Sequence, residues 1–309
     1  MPLHIETPLV ESRPLGLITG KRIWLKMEAL QVPGSFKIRG VGEACVHYAN
    51  AGAERFISSS GGNAGLAVAY AGRRLRLPVT VVVPETTTEL AKRLLRAEGA
   101  DVIVYGASWQ EANEKATSLV GKTEAFIHPF DDPLLWRGHA TMIDEVAGQG
   151  IQPDAVVVAV GGGGLLCGVA EGMERNGWHD RSIIAVETVG AASLRRAMEA
   201  GEPVALERIA TVATSLGAKQ VCRRAFEWTN TRKVTSAIVT DEQALRACRS
   251  FLSDHRILVE PACGAALALA YGGNDALKPY KDIVFIVCGG ATTDMEQIDR
   301  WLAACGSSD

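Results

Sequence analysis

The sequence has no run approaching the roughly 20 consecutive apolar residues that span a bilayer. Nor does Met1–Gly20 carry the apolar core of a secretory signal, because Glu6, Glu11 and Arg13 interrupt it. No Cys-x-x-Cys pair occurs. The cysteines, Cys45, Cys167, Cys222, Cys248, Cys263, Cys288 and Cys305, are scattered and odd in number, which argues against a disulfide framework and a zinc site. The histidines, His128 and His139 among them, show no metal-ligand spacing and read as structural. There is no excess of positive charge: the net charge is −3, so the overall field attracts neither nucleic acid nor an anionic membrane. Low-complexity tracts, fixed-period repeats and long linkers are also missing. Together these absences predict a protein of a reduced, cytoplasmic compartment.

What is present is the material of a globular protein. Hydrophobic residues make up 47% and charged residues 22% of 309. That suffices for one large α/β domain or two smaller ones sharing a cleft. Apolar, β-branched runs at Arg22–Met27, Phe56–Ser59, Thr80–Val83, Asp101–Val104, Ala155–Val160, Ser182–Val186 and Asp282–Val287 predict strands. Helical patterns at Gly65–Leu75, Thr88–Glu98 and Gln110–Val120 alternate with them, which indicates βαβ units around parallel sheets covered on both faces. Three of the strands run straight into glycine-bearing turns, at Ser60–Asn63, Gly161–Gly164 and Cys288–Gly290. Ligands of open α/β sheets sit at carboxyl ends of strands, so the three turns should face one site. Residues 202–233 fit helices and loops equally, and the tail from Gly306 reads as frayed.

Four successive glycines, Gly161, Gly162, Gly163 and Gly164, lie between a strand and a helix that opens with Leu165-Leu166. Bare backbone there can approach an anion, and the amides at the helix start favour phosphate. A Walker loop would need Lys-Ser/Thr where Leu165-Leu166 stands. A dinucleotide fingerprint survives as a weaker rival, with Glu187 at a compatible distance for its acid.

A second motif is Gly34-Ser35-Phe36-Lys37-Ile38-Arg39-Gly40, after a Pro33-Gly34 turn. Ser35 is an expected N-cap for a helix starting near Phe36, which puts Lys37 in the first turn. The helix dipole disfavours a cation there, and a lysine neutralised as an imine escapes part of that cost. Alone, Lys37 would read as a surface lysine. The third motif, Ser58-Ser59-Ser60-Gly61-Gly62-Asn63-Ala64-Gly65, offers hydroxyls and amides suited to a carboxylate, though alone it is only a capped turn.

Taken together and in this order, the three motifs resemble the fold-type II pyridoxal-phosphate family, which is tryptophan synthase β-like, and most closely its serine/threonine dehydratase branch. The resemblance extends through Pro129–Leu134, Gly138-His139-Ala140, Val186-Glu187-Thr188, Leu258–Ala266 and Val287–Gly290, from about His4 to about Gly290. It implies two parallel-sheet α/β lobes with pyridoxal 5'-phosphate in the cleft between them. The large lobe would comprise residues 1–36 and 130–309, the small lobe 37–129. The implied activity is a lyase reaction turning L-serine or L-threonine into a 2-oxo acid and ammonia.

The resemblance also implies roles. Lys37 would hold the cofactor as a Schiff base and take the Cα proton. Phe36 would pack on one face of the pyridine ring, Ser215 would lie near the other, and Asn63 would bond the phenolic oxygen. Gly161 to Leu165 would grip the phosphate. The turn Ser60, Gly61, Gly62, Asn63 and Ala64, with Phe130 nearby, would hold the substrate. Cys288 would face the pyridine nitrogen, where a thiol cannot supply the charge an aspartate gives fold-type I enzymes; that favours elimination over transamination. Related serine racemases carry a serine at the position of Gly61, so little racemisation is expected. A monovalent cation, potassium by expectation, would be bound by Glu187 and Ser193 and by main-chain oxygens near Ala191, Leu216 and Ala218. A homodimer is the family expectation. Two departures stand out: Ala291-Thr292 replaces the usual Ser-Asn pair, and Ser215 replaces a small apolar residue.

Within the family the rival is β-replacement, as in cysteine synthases. From other classes the rivals are a non-catalytic binding protein and an NAD-dependent oxidoreductase. A visible band lost on Lys37→Ala separates the cofactor reading from the last two.

Overall fold

The stretches Val79–Val83 and Ala155–Ala159 are buried along their whole length, as only strands covered on both faces can be. They belong to two separate sheets. The computed structural model describes residues 1–305; the expected frayed tail at 306–309 lies outside them.

The chain opens with β1 (Leu9–Glu11), α1 (Arg13–Thr19) and β2 (Arg22–Lys26). Next come α2 (Lys37–Asn50), β3 (Arg55–Ser58), α3 (Asn63–Leu75), β4 (Val79–Val83), α4 (Glu89–Ala97), β5 (Asp101–Val104), α5 (Trp109–Ser118) and β6 (Glu124–Phe126). Then follow α6 (Pro133–Gly148), β7 (Ala155–Ala159), α7 (Gly164–Arg175), β8 (Ser182–Thr188), α8 (Ser193–Ala200) and α9 (Arg223–Thr231). The described chain closes with β9 (Val234–Val239), α10 (Asp241–His255), α11 (Pro261–Tyr271), β10 (Asp282–Ile286) and α12 (Met295–Cys305).

The smaller sheet has the order β5-β4-β3-β6, all parallel. The larger has the order β1-β2-β10-β7-β8-β9, parallel except where β1 runs against β2. The main core packs around the larger sheet, from Ile23 and Leu25 through Val156–Val158 and Ile183–Val186 to Val284 and Phe285. A second core, with Phe56, Val81 and Leu66, serves the smaller sheet. Between them α6 packs against both α2 and α7. Its start is fixed chemically: Asp132 accepts the Leu134 amide at 2.7 Å and Pro133 takes the first helical turn.

No described helix is long and apolar enough to cross a membrane. The smaller sheet's β3 and the larger sheet's β7 and β10 each end in one of the glycine-bearing turns singled out in the sequence. The following contacts bring those three ends together.

Candidate active site

Helix α2 begins at Lys37 because the chain before it is strapped to the larger sheet. Ser35 pairs with Gly289 in an isolated bridge, and the Phe36 amide donates to the Cys288 carbonyl at 3.1 Å. Gly34 and Gly289 adopt φ of +81° and +92°, which this close approach demands. The expected cap is different: Phe36 takes the N-cap position without side-chain capping, and the buried Ser35 hydroxyl has no partner among the described residues. The bridge to Gly289 moves Ser35 one residue too far upstream to cap.

Lys37 is half-buried, its Nζ donating to the Pro129 carbonyl at 2.6 Å and lying 5.1 Å from the Phe36 ring centroid. Burial lowers its amine to about 8, against the opposing pull of Cys288 and Glu260. Two residues on, Arg39 anchors the helix. Its guanidinium is fully buried and donates to Glu28 at 2.6 and 2.8 Å and to Glu145 at 2.6 and 2.7 Å. Lys26 also pairs with Glu145, so two cations balance two carboxylates. Removing one partner of such a buried set costs about 3–5 kcal/mol.

At the glycine run, Gly163 caps α7 with φ +92°. The first amide that returns to a carbonyl is that of Cys167, bonding to Gly163. The amides of Gly162, Gly163, Gly164, Leu165 and Leu166 find no carbonyl acceptor among the described residues, a set of donors that an anion would satisfy. The run has no room for side chains. A Cβ on Gly162 would collide with the Phe130 ring, and one on Gly161 would stand 2.9 Å from both the Ser215 carbonyl oxygen and the Leu216 Cα.

The turn after β3 offers a second set of free amides, at Asn63, Ala64 and Gly65, before Leu66 bonds back to Gly62. Ser60 Oγ braces it by accepting the Gly62 amide at 3.3 Å. The Asn63 side chain reaches across to the larger sheet. Its Nδ2 donates to Glu260 at 2.8 Å and to Ser215 at 3.4 Å, while its Oδ1 accepts the Ala291 amide at 3.1 Å. Thr292, the other residue that departs from the family pattern, approaches Glu260 at 3.5 Å. Burial raises the Glu260 carboxyl above the usual carboxylate range despite these donors. Cys288 is buried, and its thiol is pushed well up, first by its hydrogen bond with Cys263 and then by burial. It is therefore a neutral group.

Of the five residues expected to bind a cation, Ser193 and Leu216 both lie against Gly161. Ser193 Oγ donates to its carbonyl at 3.5 Å. Glu187 is buried, and its oxygens accept the Leu194 and Arg195 amides at 2.7 and 2.9 Å at the start of α8. Burial raises it to about 7. Ala191 sits in the short 3-10 turn before α8, and the Ala218 amide donates to the Leu216 carbonyl. No cluster of three His, Cys, Asp or Glu side chains suited to a metal occurs among the described residues.

Thus Lys37, Phe36, Asn63, Ser215, Cys288, Phe130 and the two glycine turns converge. The sequence did not reveal Glu260 as their hub. It lay inside a recognised stretch, but its partners are distant in the chain and no local pattern points to them.

A group with an anionic tail and a carbonyl carbon fits these residues: orphan amides over bare backbone for the tail, and a lysine amine made less basic by burial for the carbon. The chain belongs to the family of pyridoxal-phosphate dependent enzymes, whose model matches residues 1–289. Over 99% of its length it is 44% identical to a mouse protein named serine dehydratase-like, covering 96% of that chain. It is 43% identical to the human L-serine dehydratase/L-threonine deaminase, over 96% of this chain and 94% of that one. A crystal structure of a fungal L-serine ammonia-lyase from Rhizomucor miehei superposes with a TM-score of 0.93 at 35% identity, covering 97% of this chain and 98% of the other.

Proposed function

We propose that this enzyme, with pyridoxal 5'-phosphate attached at Lys37, eliminates water from L-serine and L-threonine, and that hydrolysis of the resulting enamine/imine by water gives pyruvate or 2-oxobutanoate plus ammonia. The observation that supports this reading is a lysine amine made less basic by burial, within electrostatic reach of Cys288 and Glu260, in a molecule that leaves two glycine-bearing turns with amides lacking carbonyl acceptors. The cofactor, when bound, supplies an electron sink for the substrate's α-carbon. The chain's own residues do the rest. Free amides of the glycine run hold the phosphate, and those at the start of α3, with the Ser60 turn, hold the substrate carboxylate. Phe36 and Ser215 would flank the ring, Asn63 would donate to its phenolic oxygen, and Phe130 would wall the substrate side. Lys37 Nζ takes the α-proton. Cys288, a neutral weak donor, leaves the ring nitrogen without added charge, which favours prompt loss of the β-hydroxyl.

Gly61 offers no acid on the opposite face, so serine left unreacted stays in the L form; chiral chromatography would expose D-serine if this is wrong. Residues 1–36 with 130–309 form the large cofactor-binding lobe and residues 37–129 the small one. Potassium binds through Glu187, Ser193 and carbonyls near Ala191, Leu216 and Ala218. The enzyme works as a cytoplasmic homodimer.

The test is direct. Protein purified with pyridoxal phosphate should show a visible band that Lys37→Ala abolishes, and should release 2-oxo acid and ammonia from serine or threonine. A new sulfur-containing amino acid formed on adding sulfide, in place of 2-oxo acid, would assign it to β-replacement. Absence of the band would overturn the cofactor reading.

A further inference from the structure

His139, on α6, is fully buried between the helix that starts with Lys37 and the helix that follows the glycine run. Its Nδ1 accepts the Gly40 amide of α2 at 3.2 Å. That amide is available because the Arg39 amide has already turned back to the Phe36 carbonyl at 3.0 Å. The imidazole lies 4.8 Å from the Phe36 ring, centroid to centroid, tilted by 57°. Glycines close in from both sides. A Cβ on Gly40 would stand 2.7 Å from Cε1 and 2.8 Å from Nε2, and one on Gly168 of α7 would overlap the Cβ of His139. Nε2 is buried without a partner among the described residues.

An imidazole nitrogen that accepts an amide cannot carry a proton, so His139 is neutral with its hydrogen on Nε2. Its surroundings enforce that state: burial first, then the positive charges of Lys37, Arg39 and His4, hold its pKa well below the ordinary value. A histidine serving only as filler would need neither a bonded helix amide nor bare backbone on both flanks. Any alkyl side chain of similar volume would fill the space.

We propose that His139 is a positioning residue: its imidazole holds the Lys37–Gly40 turn through the Gly40 amide, backs Phe36, and sets both against the glycine run. The inference rests on Lys37 and Phe36 being the cofactor residues. It assigns a role in the reaction's geometry to a residue outside the set proposed to hold cofactor and substrate.

Three variants separate the possibilities. His139→Asn places an acceptor at the reach of Nδ1, His139→Gln places one at the reach of Nε2, and His139→Leu supplies none. The readouts are the position and pH midpoint of the visible lysine–cofactor band, the rate of cofactor release into a trap, KM and kcat for serine, and thermal unfolding. Leu and Gln should raise cofactor release by about tenfold and displace the band's midpoint, while Asn stays within about threefold of wild type, as expected if the lost acceptor leaves a buried amide unpaired. Should Leu match wild type in band, midpoint and release rate, or should Gln rescue as fully as Asn, the Gly40 bond is not what positions the site and the proposal fails. If Leu does not fold, the Asn–Gln comparison decides alone. A wild-type protein without any visible band would instead overturn the cofactor assignment, a distinct outcome.

Discussion

The amide nitrogen of Asn63, at the start of a helix on the smaller sheet, lies 2.8 Å from a carboxylate oxygen of Glu260, at the start of a helix beneath the larger one. Like the Arg39–Glu28 pair, it is a buried side-chain bond that joins the two halves. Glu260→Ala removes the acceptor from Asn63 and also the side-chain hydrogen bond between Glu260 and Ser215. A hydrogen bond to a buried charged group is worth roughly 1.5–3 kcal/mol, so kcat/KM for serine should fall about 10- to 100-fold. Glu260→Gln, which keeps an oxygen for Asn63, should lose less. Steady-state kinetics on the Asn63→Ala, Glu260→Ala and double variants check this; fully additive losses would show that the two residues act independently.

The amine of Lys37 should titrate near 8 instead of its ordinary 10.5, because burial penalises its charge. Attachment to an aldehyde requires the uncharged amine. The rate at which cofactor-free protein gains its visible band should therefore climb from about pH 6.5 and level off above about pH 8, as followed by stopped-flow absorbance. The stability consequence has the same origin. Between about 8 and 10.5 the unfolded chain binds more protons at this group than the folded one, so the stability of cofactor-free protein rises with pH across that window. Below about 8 the full penalty of the buried cation is present, and Lys37→Met should raise Tm there. A climb that continues to pH 10 would mean that the amine is not desolvated.

Gly162→Ala should weaken cofactor binding by roughly 5- to 100-fold, since the added methyl must displace the Phe130 ring. Overpacking of this kind costs about 1–3 kcal/mol. Phe130→Ala in the same chain would give the methyl room and should restore part of the affinity. Equilibrium titration with cofactor distinguishes the single and paired variants, and an unaffected single variant would show that the loop shifts freely.

Glu187, raised to about 7 by burial, offers a handle on the cation. Its folded pKa lies above its ordinary value of 4.5. The native state therefore holds the extra proton between those limits, and stability falls as pH rises through them. A bound monovalent cation should cancel that loss by pairing with the ionised carboxylate. The gain in Tm on replacing a bulky organic cation by potassium should accordingly be larger at about pH 8 than at about pH 6, and small in Glu187→Gln. Equal gains at both pH values would place the ion elsewhere or show that none binds.

The strands that carry the glycine turns were legible because β-branched residues buried on both faces leave an unbroken apolar run. The edge strand β9 was not, since its outward residues are half-buried or exposed and the run is broken. Residues 202–233 were opaque for a related reason. Before the helix at Arg223–Thr231, their order comes from ties such as Asp241 accepting the Val212 amide and the Thr211 hydroxyl. Within the site, the glycine run stood out through composition, and Lys37 only through the resemblance carried by the three motifs together. The Ser35 cap was misjudged because the competing partner, Gly289, is far along the chain. Glu260 and His139 act through contacts with residues about a hundred or more positions away, which no window of sequence contains.

A Cβ on Gly61 would stand 2.8 Å from Thr87 Cγ2, 2.9 Å from its Oγ1 and 3.3 Å from Val83. Residue 61 is thus crowded by a neighbour as well as bare. Installing a hydroxyl there by one substitution would meet a steric barrier before it could hand a proton to the far face. A serine at position 61 would have to be accompanied by a shift of the Thr87 side chain, so positions 61 and 87 together set the cost of adding a second acid to this scaffold.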